Sequence, residues 1–271
     1  MACEALARVQ PVGLAPHRHR IQDAGTVPVR GSVGRHRIRR PPAEIVPHGH
    51  ACVASLRHDR GVDLNGKLFL VTGASGGLGR NIAEQLERRG AYALRTSGGE
   101  CDIAVAEDRA AITQLVIDHG GVDGIVFASG VVGFGLHGSI EKGSTQRIFD
   151  VNVTGPLELT NDLLPHLHDG GSIVFITGAV VDFTTVGMAA YTAAKAGLSA
   201  SCAVLRRELR SRKINVIDAR PPHTETGLAT RAIFGEAPKM KQGLEPEVVA
   251  NRIVLAIEND ESELAPVVFG E

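Results

Sequence analysis

The sequence predicts a doubly wound parallel α/β sheet with helices on both faces. Three observations predict it. From Asn65 onward, short β-rich apolar runs alternate with amphipathic stretches of helical length, the pattern of repeated βαβ units. Runs such as Gly124-Ile125-Val126-Phe127-Ala128 lack polar alternation, as strands buried on both faces require. A glycine-rich run stands where the first strand meets the first helix, at the strand end where such sheets place their ligand crevice.

The elements follow in order. Leu68-Phe69-Leu70-Val71 reads as a strand, and Gly79 to about Gly90 as a helix with Ile82, Ala83 and Leu86 on one face. Tyr92-Ala93-Leu94 is a second short strand, Ile103-Ala104-Val105 a third, and Ala111 to Asp118 a helix. After the strand at 124–128 come a long helix over 145–167, the strand Ser172–Ile176, a helix from Ala189 to Ser211 and the strand Ile214–Ile217. Glu247 to Asn259 is the last helix and Pro266–Phe269 the last strand.

With 271 residues, 43% of them hydrophobic, the chain can bury the core of one domain, placed at 63–271. The net charge of −1 hides an asymmetry. Residues 1–62 hold ten Arg and no Lys against four acids, a charge of +6, which leaves −7 for the rest. This segment also has six His and six Pro and no sustained periodicity, so it reads as a low-complexity, disordered extension. No aromatic residue is interleaved with its arginines for base stacking, which argues against nucleic-acid binding. No run reaches the 18 or so apolar residues of a membrane span, and no signal core is present, so a soluble cytoplasmic protein is expected. Cys3, Cys52, Cys101 and Cys202 are scattered without ligand spacing; reduced thiols and no metal are expected.

Two motifs carry the chemistry. The run Thr72-Gly73-Ala74-Ser75-Gly76-Gly77-Leu78-Gly79 opens the first helix, where backbone N–H groups and the helix dipole favour a pyrophosphate. There Gly73 permits the turn, Gly77 lets backbone approach a ligand and Gly79 allows helix to pack on strand. Tyr191 and Lys195 lie four apart on one helix face. A phenol titrates near pH 10, and a neighbouring ammonium favours its phenolate, which makes the pair fit for proton transfer.

TGxxxGxG followed by YxxxK resembles the short-chain dehydrogenase/reductase family of NAD(P)-dependent oxidoreductases, over about Asp63 to Val268. The resemblance implies a Rossmann fold and a nicotinamide dinucleotide held by Gly73, Ser75, Gly76, Gly77, Leu78 and Gly79. It places the adenine at Asp102 and Ile103, and further contacts at Ala128, Ser129 and Gly130. It sets Pro221, Thr224 and Thr226 near the nicotinamide. Tyr191 is then the acid/base, Lys195 bonds the nicotinamide ribose, and Asn152 in Asp150-Val151-Asn152 carries a relay water. A homodimer or homotetramer through the helices at 145–167 and 189–211 is implied as well.

The sequence also departs from that pattern. The family's third catalytic group is a serine thirteen residues before the tyrosine; here that position is Gly178, and Thr177 is expected to supply the hydroxyl. Phe127-Ala128 replaces two asparagines that brace the central strand, and Pro222 follows Pro221 where glycine is usual. At the end of the second strand, where an acid would hold a ribose 2′-OH, stands Ser97. The missing acid tilts the expectation to NADP over NAD, with Arg95 or Arg80 in reach of a 2′-phosphate. Val132, Phe134, Phe183 and His223 are the expected substrate contacts, in segments apolar enough for a hydrophobic alcohol or ketone. The expected function is interconversion of a secondary alcohol and a ketone. Its rival is a catalytically impaired relative that binds dinucleotide as a sensor or partner module.

Overall fold

The computed structural model describes residues 61–270, and the reading of residues 1–60 lies outside them. Six strands form one sheet: β1 (Leu68–Thr72), β2 (Tyr92–Arg95), β3 (Val122–Phe127), β4 (Leu167–Ile176), β5 (Asn215–Ala219) and β6 (Glu263–Leu264). Their order is β2-β1-β3-β4-β5-β6, and all pair in parallel. Helices α1 (Gly77–Arg88), α2 (Ala106–Asp118), α3 (Ser144–Phe149), α4 (Gly155–Leu163), α5 (Ala189–Glu208) and α6 (Pro246–Glu258) supply the crossovers.

Strand alternation divides the apolar residues into two cores. Phe69 and Val71 of β1, with Val126, Val174 and Ile217, pack on Ile82 and Leu86 of α1 and Ile253 of α6. Leu70, Ile125, Ile173, Phe175 and Val216 pack on the opposite face against Ile112 of α2, Leu159 of α4 and Leu198 of α5. Each such aliphatic side chain contributes about 1.5–3 kcal/mol when fully buried. Phe127 stacks on Phe175 of the neighbouring strand, with ring centroids 4.9 Å apart and ring planes nearly parallel. That contact braces β3 against β4 where the polar side chains expected from the family are missing.

Three expected elements differ. Ile103–Val105 is a turn and not a strand. The side chain of Asp102 accepts from the Ala104 N–H, and that of Asp108 from the Asp102 N–H, so the segment curls into α2, which begins at Ala106. Pro266–Phe269 is a 3₁₀ turn; Pro266 has no N–H for a ladder, and the last strand is Glu263–Leu264. The helix expected at 145–167 is broken by a π-helical turn at Asp150–Thr154. Gly155 then packs on the Ile103 carbonyl so closely that a Cβ would stand 2.5 Å from it.

Among the described residues no helix is long and apolar enough to cross a membrane, and no group of three His, Cys, Asp or Glu is placed to hold a metal. Cys202 is a free, buried thiol, and Cys101 is buried as well.

Candidate active site

The loops after β1, β3, β4 and β5 meet in one cavity of about 690 Å³ at the carboxyl ends of the strands. Of the residues expected to hold cofactor, all but Ser97 line it; Gly98 and Gly99 line it beside Ser97. Tyr191, Lys195, Thr177, Val132, Phe134, Phe183 and His223 line it too, while Asn152 lies fully buried behind its wall.

The glycine run is shaped by two close approaches. Gly73 has φ 69°, and a Cβ on it would stand 2.6 Å from the Ser129 backbone nitrogen, so only glycine joins the β1 and β3 loops here. At Gly77 a Cβ would stand 2.8 Å from Thr226 Cα, so this glycine admits the protein's own β5 loop as well as a ligand. The start of α1 has no acid in its first turn and no side-chain cap. Its N–H groups therefore fit an anionic pyrophosphate.

On α5, Lys195 is 5% exposed and donates to the Ile176 carbonyl at 2.7 Å. Its nitrogen lies 5.7 Å from the centre of the Tyr191 ring. Burial pushes the lysine down to about 8 and the tyrosine up to about 12. The expected lowering of the phenol by Lys195 is thus outweighed by desolvation while the ammonium is turned to Ile176.

The π-helical turn presents Asn152 inward. Its Nδ2 donates to the Val131 and Ile148 carbonyls, both at 2.9 Å, and its buried Oδ1 has no partner. A Cβ placed on Gly130 would be 3.1 Å from that Oδ1 and 3.8 Å from Lys195 Nζ, so both atoms face the same small space. Turns of this kind recur at functional sites.

Thr177 does not carry its expected role in this arrangement. Its hydroxyl donates to Asp218 Oδ1 at 2.5 Å, and a hydroxyl has one proton to give. Gly178 follows with φ 87°, and nothing but the Pro221 carbonyl comes within 4 Å of a Cβ placed on it. Neither residue of the pair offers a hydroxyl donor to a substrate oxygen.

At the far end of the cavity Asp102 Oδ2 accepts from Arg147 of α3 at 2.5 Å, and Arg147 lines the wall. Arg95 is tied to Glu87 at 2.7 Å, whereas Arg80 only reaches the Ser75 carbonyl at 3.4 Å. Ser97 donates to Glu100 at 3.1 Å, which brings to this position the acid absent at 97. Over the other end, the loop after β5 is zipped to the loop after β3 by Phe134 N–H to Phe234 O at 3.0 Å and Ile233 N–H to Val132 O at 2.8 Å. His223 faces Glu225 at 3.4 Å, and Phe183 stands 66% exposed at the rim.

Sequence reasoning missed Arg147, Glu100 and Asp218. For Asp218 the signal was available: a charged residue directly continuing a buried strand run.

The short chain dehydrogenase family profile matches residues 94–234, more than half of the chain. The chain belongs to the short-chain dehydrogenase/reductase family. The chain is 35% identical over 206 residues to an uncharacterized oxidoreductase of Methylorubrum extorquens, covering 67% of this chain and 82% of that one. It is 30% identical over 226 residues to the ketoacyl reductase HetN of a Nostoc species, covering 74% and 78%. In fold it is similar to the 3-ketoacyl-(acyl-carrier-protein) reductase of Brucella melitensis solved with NADH, with a TM-score of 0.67 and 24% identity, covering 75% of this chain and 97% of that one. Membership makes this protein an oxidoreductase whose cofactor is a nicotinamide dinucleotide.

Proposed function

We propose that the protein interconverts a secondary alcohol and a ketone, with Tyr191 as acid/base, Lys195 as its modulator and Asn152 as anchor of a relay water. The observation that carries this reading is the meeting of Tyr191, Lys195 and the glycine run in one cavity. The dinucleotide, when bound, supplies or accepts the hydride at the carbinol carbon. Gly73 to Gly79 and the start of α1 hold its pyrophosphate, Asp102 and Ile103 its adenine, and Pro221, Thr224 and Thr226 its nicotinamide end. Tyr191 gives its phenolic proton to the carbonyl oxygen during reduction and takes it back during oxidation. The space shared by Asn152 Oδ1 and Lys195 Nζ suits a bridging water, which would replenish the proton. With Thr177 committed to Asp218, Tyr191 is the donor that holds the substrate oxygen.

The walls at Val132, Phe134, Met188 and Met240 favour a hydrophobic substrate over a sugar phosphate. The reading includes a homodimer or homotetramer through α4 and α5, where Val204 stands exposed. At the adenosine end, Arg80 favours NADP and Glu100 favours NAD. The test is to follow NADPH and NADH oxidation against ketones, quinones and β-ketoacyl thioesters, with Tyr191→Phe as control. Turnover lost in Tyr191→Phe supports the reading; tight cofactor binding without turnover of any carbonyl sinks it.

A further inference from the structure

Behind the cavity wall a carboxylate is buried in the sheet. Along β5, Val216 faces α5 and Ile217 faces α6, so alternation returns Asp218 to the α5 side, where it is 3% exposed. Its Oδ1 accepts from Thr177 at 2.5 Å and its Oδ2 from Ser199 at 2.6 Å. Both donors border the proton-transfer pair. Thr177 follows Ile176, whose carbonyl receives the Lys195 ammonium, and Ser199 stands one turn beyond Lys195 on α5.

A buried anion costs several kcal/mol unless its charge is met. Asp218 pairs with the Arg220 guanidinium at 3.8 Å, beyond hydrogen-bond reach. That guanidinium is shared with Asp182 at 3.4 Å and Glu263 at 3.7 Å. The titratable and charged groups facing Asp218 are Lys195, Cys202 and Arg206 from α5, Arg220 at the end of β5 and Glu263 from β6. We propose that Asp218 is a positioning residue for the proton-transfer pair: it ties the end of β4, whose Ile176 carbonyl holds Lys195, to α5 through Thr177 and Ser199, and so sets its carboxylate on the α5 side with Lys195. Burial pulls the Lys195 titration down to about 8, and Asp218 is the charge that opposes this.

The inference rests on the proposed role of Lys195, but its first test, a fluorescence titration, needs neither substrate nor cofactor. The chain has no Trp and two Tyr, so in a Tyr92→Phe background Tyr191 is the sole strong emitter. Its fluorescence, followed against pH in the full chain, reports the ammonium 5.7 Å from its ring; the Lys195 step is the one that Lys195→Met abolishes. Asp218→Asn should move that step down by about one pH unit. Ser199→Ala, which keeps the charge, should leave it in place, and Arg220→Met, which removes a competing cation, should move it up. A step unmoved in Asp218→Asn overturns the proposal. If Asp218→Asn does not fold, a step that stays or falls in Arg220→Met overturns it instead. The alkaline limb of kcat/KM should move with the fluorescence step, and a limb that stays while the step moves overturns the functional part.

Discussion

Lys195 donates to the carbonyl of Ile176 at 2.7 Å while its nitrogen stands 5.7 Å from the Tyr191 ring. The ammonium is thereby anchored to the end of β4, one turn from the phenol it serves on α5. Because burial holds Lys195 near 8, far below an ordinary lysine, the ammonium is present at neutral pH and lost on mild alkalinisation. The kcat/KM of carbonyl reduction should therefore be flat below about pH 7 and fall through pH 8. A profile level to pH 10 would show that the ammonium is not needed.

The same shift sets a stability trend. A folded lysine near 8 against 10.5 binds fewer protons than the unfolded chain between those values, so its burial penalty fades as pH rises from 8 to 10.5. Lys195→Met should remove that penalty and raise Tm at pH 7 more than at pH 10, read by thermal melts at both.

Tyr191→Phe should lower kcat by roughly 10²–10⁴, the range of general acid catalysis, with dinucleotide affinity changed only a few-fold. Stopped turnover together with intact nucleotide fluorescence titration is the expected pair of results.

Thr177→Val should act on stability more than on rate. Its hydroxyl bonds a buried carboxylate, a contact worth about 1.5–3 kcal/mol, whereas a lost oxyanion donor costs about 10²–10³ in kcat. Parallel measurement of Tm and kcat separates the two; a large rate loss with unchanged Tm would return the donor role to Thr177.

Glu100→Gln should shift the ratio of kcat/KM values toward NADPH. The carboxylate beside Ser97 repels a 2′-phosphate and accepts from a 2′-hydroxyl. An unchanged ratio would remove Glu100 from cofactor choice.

Most of the fold was legible because burial on both faces writes itself as unbroken apolar runs, as at Ile125–Phe127 and Ile173–Phe175. The failures have local causes. Ile103-Ala104-Val105 has a β-rich composition, yet side-chain bonds from Asp102 and Asp108 turn it toward α2. Pro266 kept its run out of the ladder although the run is apolar. The glycine run and the Tyr191 and Lys195 pair were legible as motifs because their chemistry depends on residue type and spacing.

By itself, the sequence determined the order of elements, the family and the positions at which cofactor and proton transfer would be sought. Only the tertiary structure decided where hydroxyls and charges point. Thr177 and Gly178 are neighbours in the chain, but strand alternation brings Asp218 of β5 up to Thr177, 41 residues away, where its carboxylate accepts the Thr177 hydroxyl hydrogen bond. Such pairing is set by strand register and helix packing, and sequence spacing does not encode it.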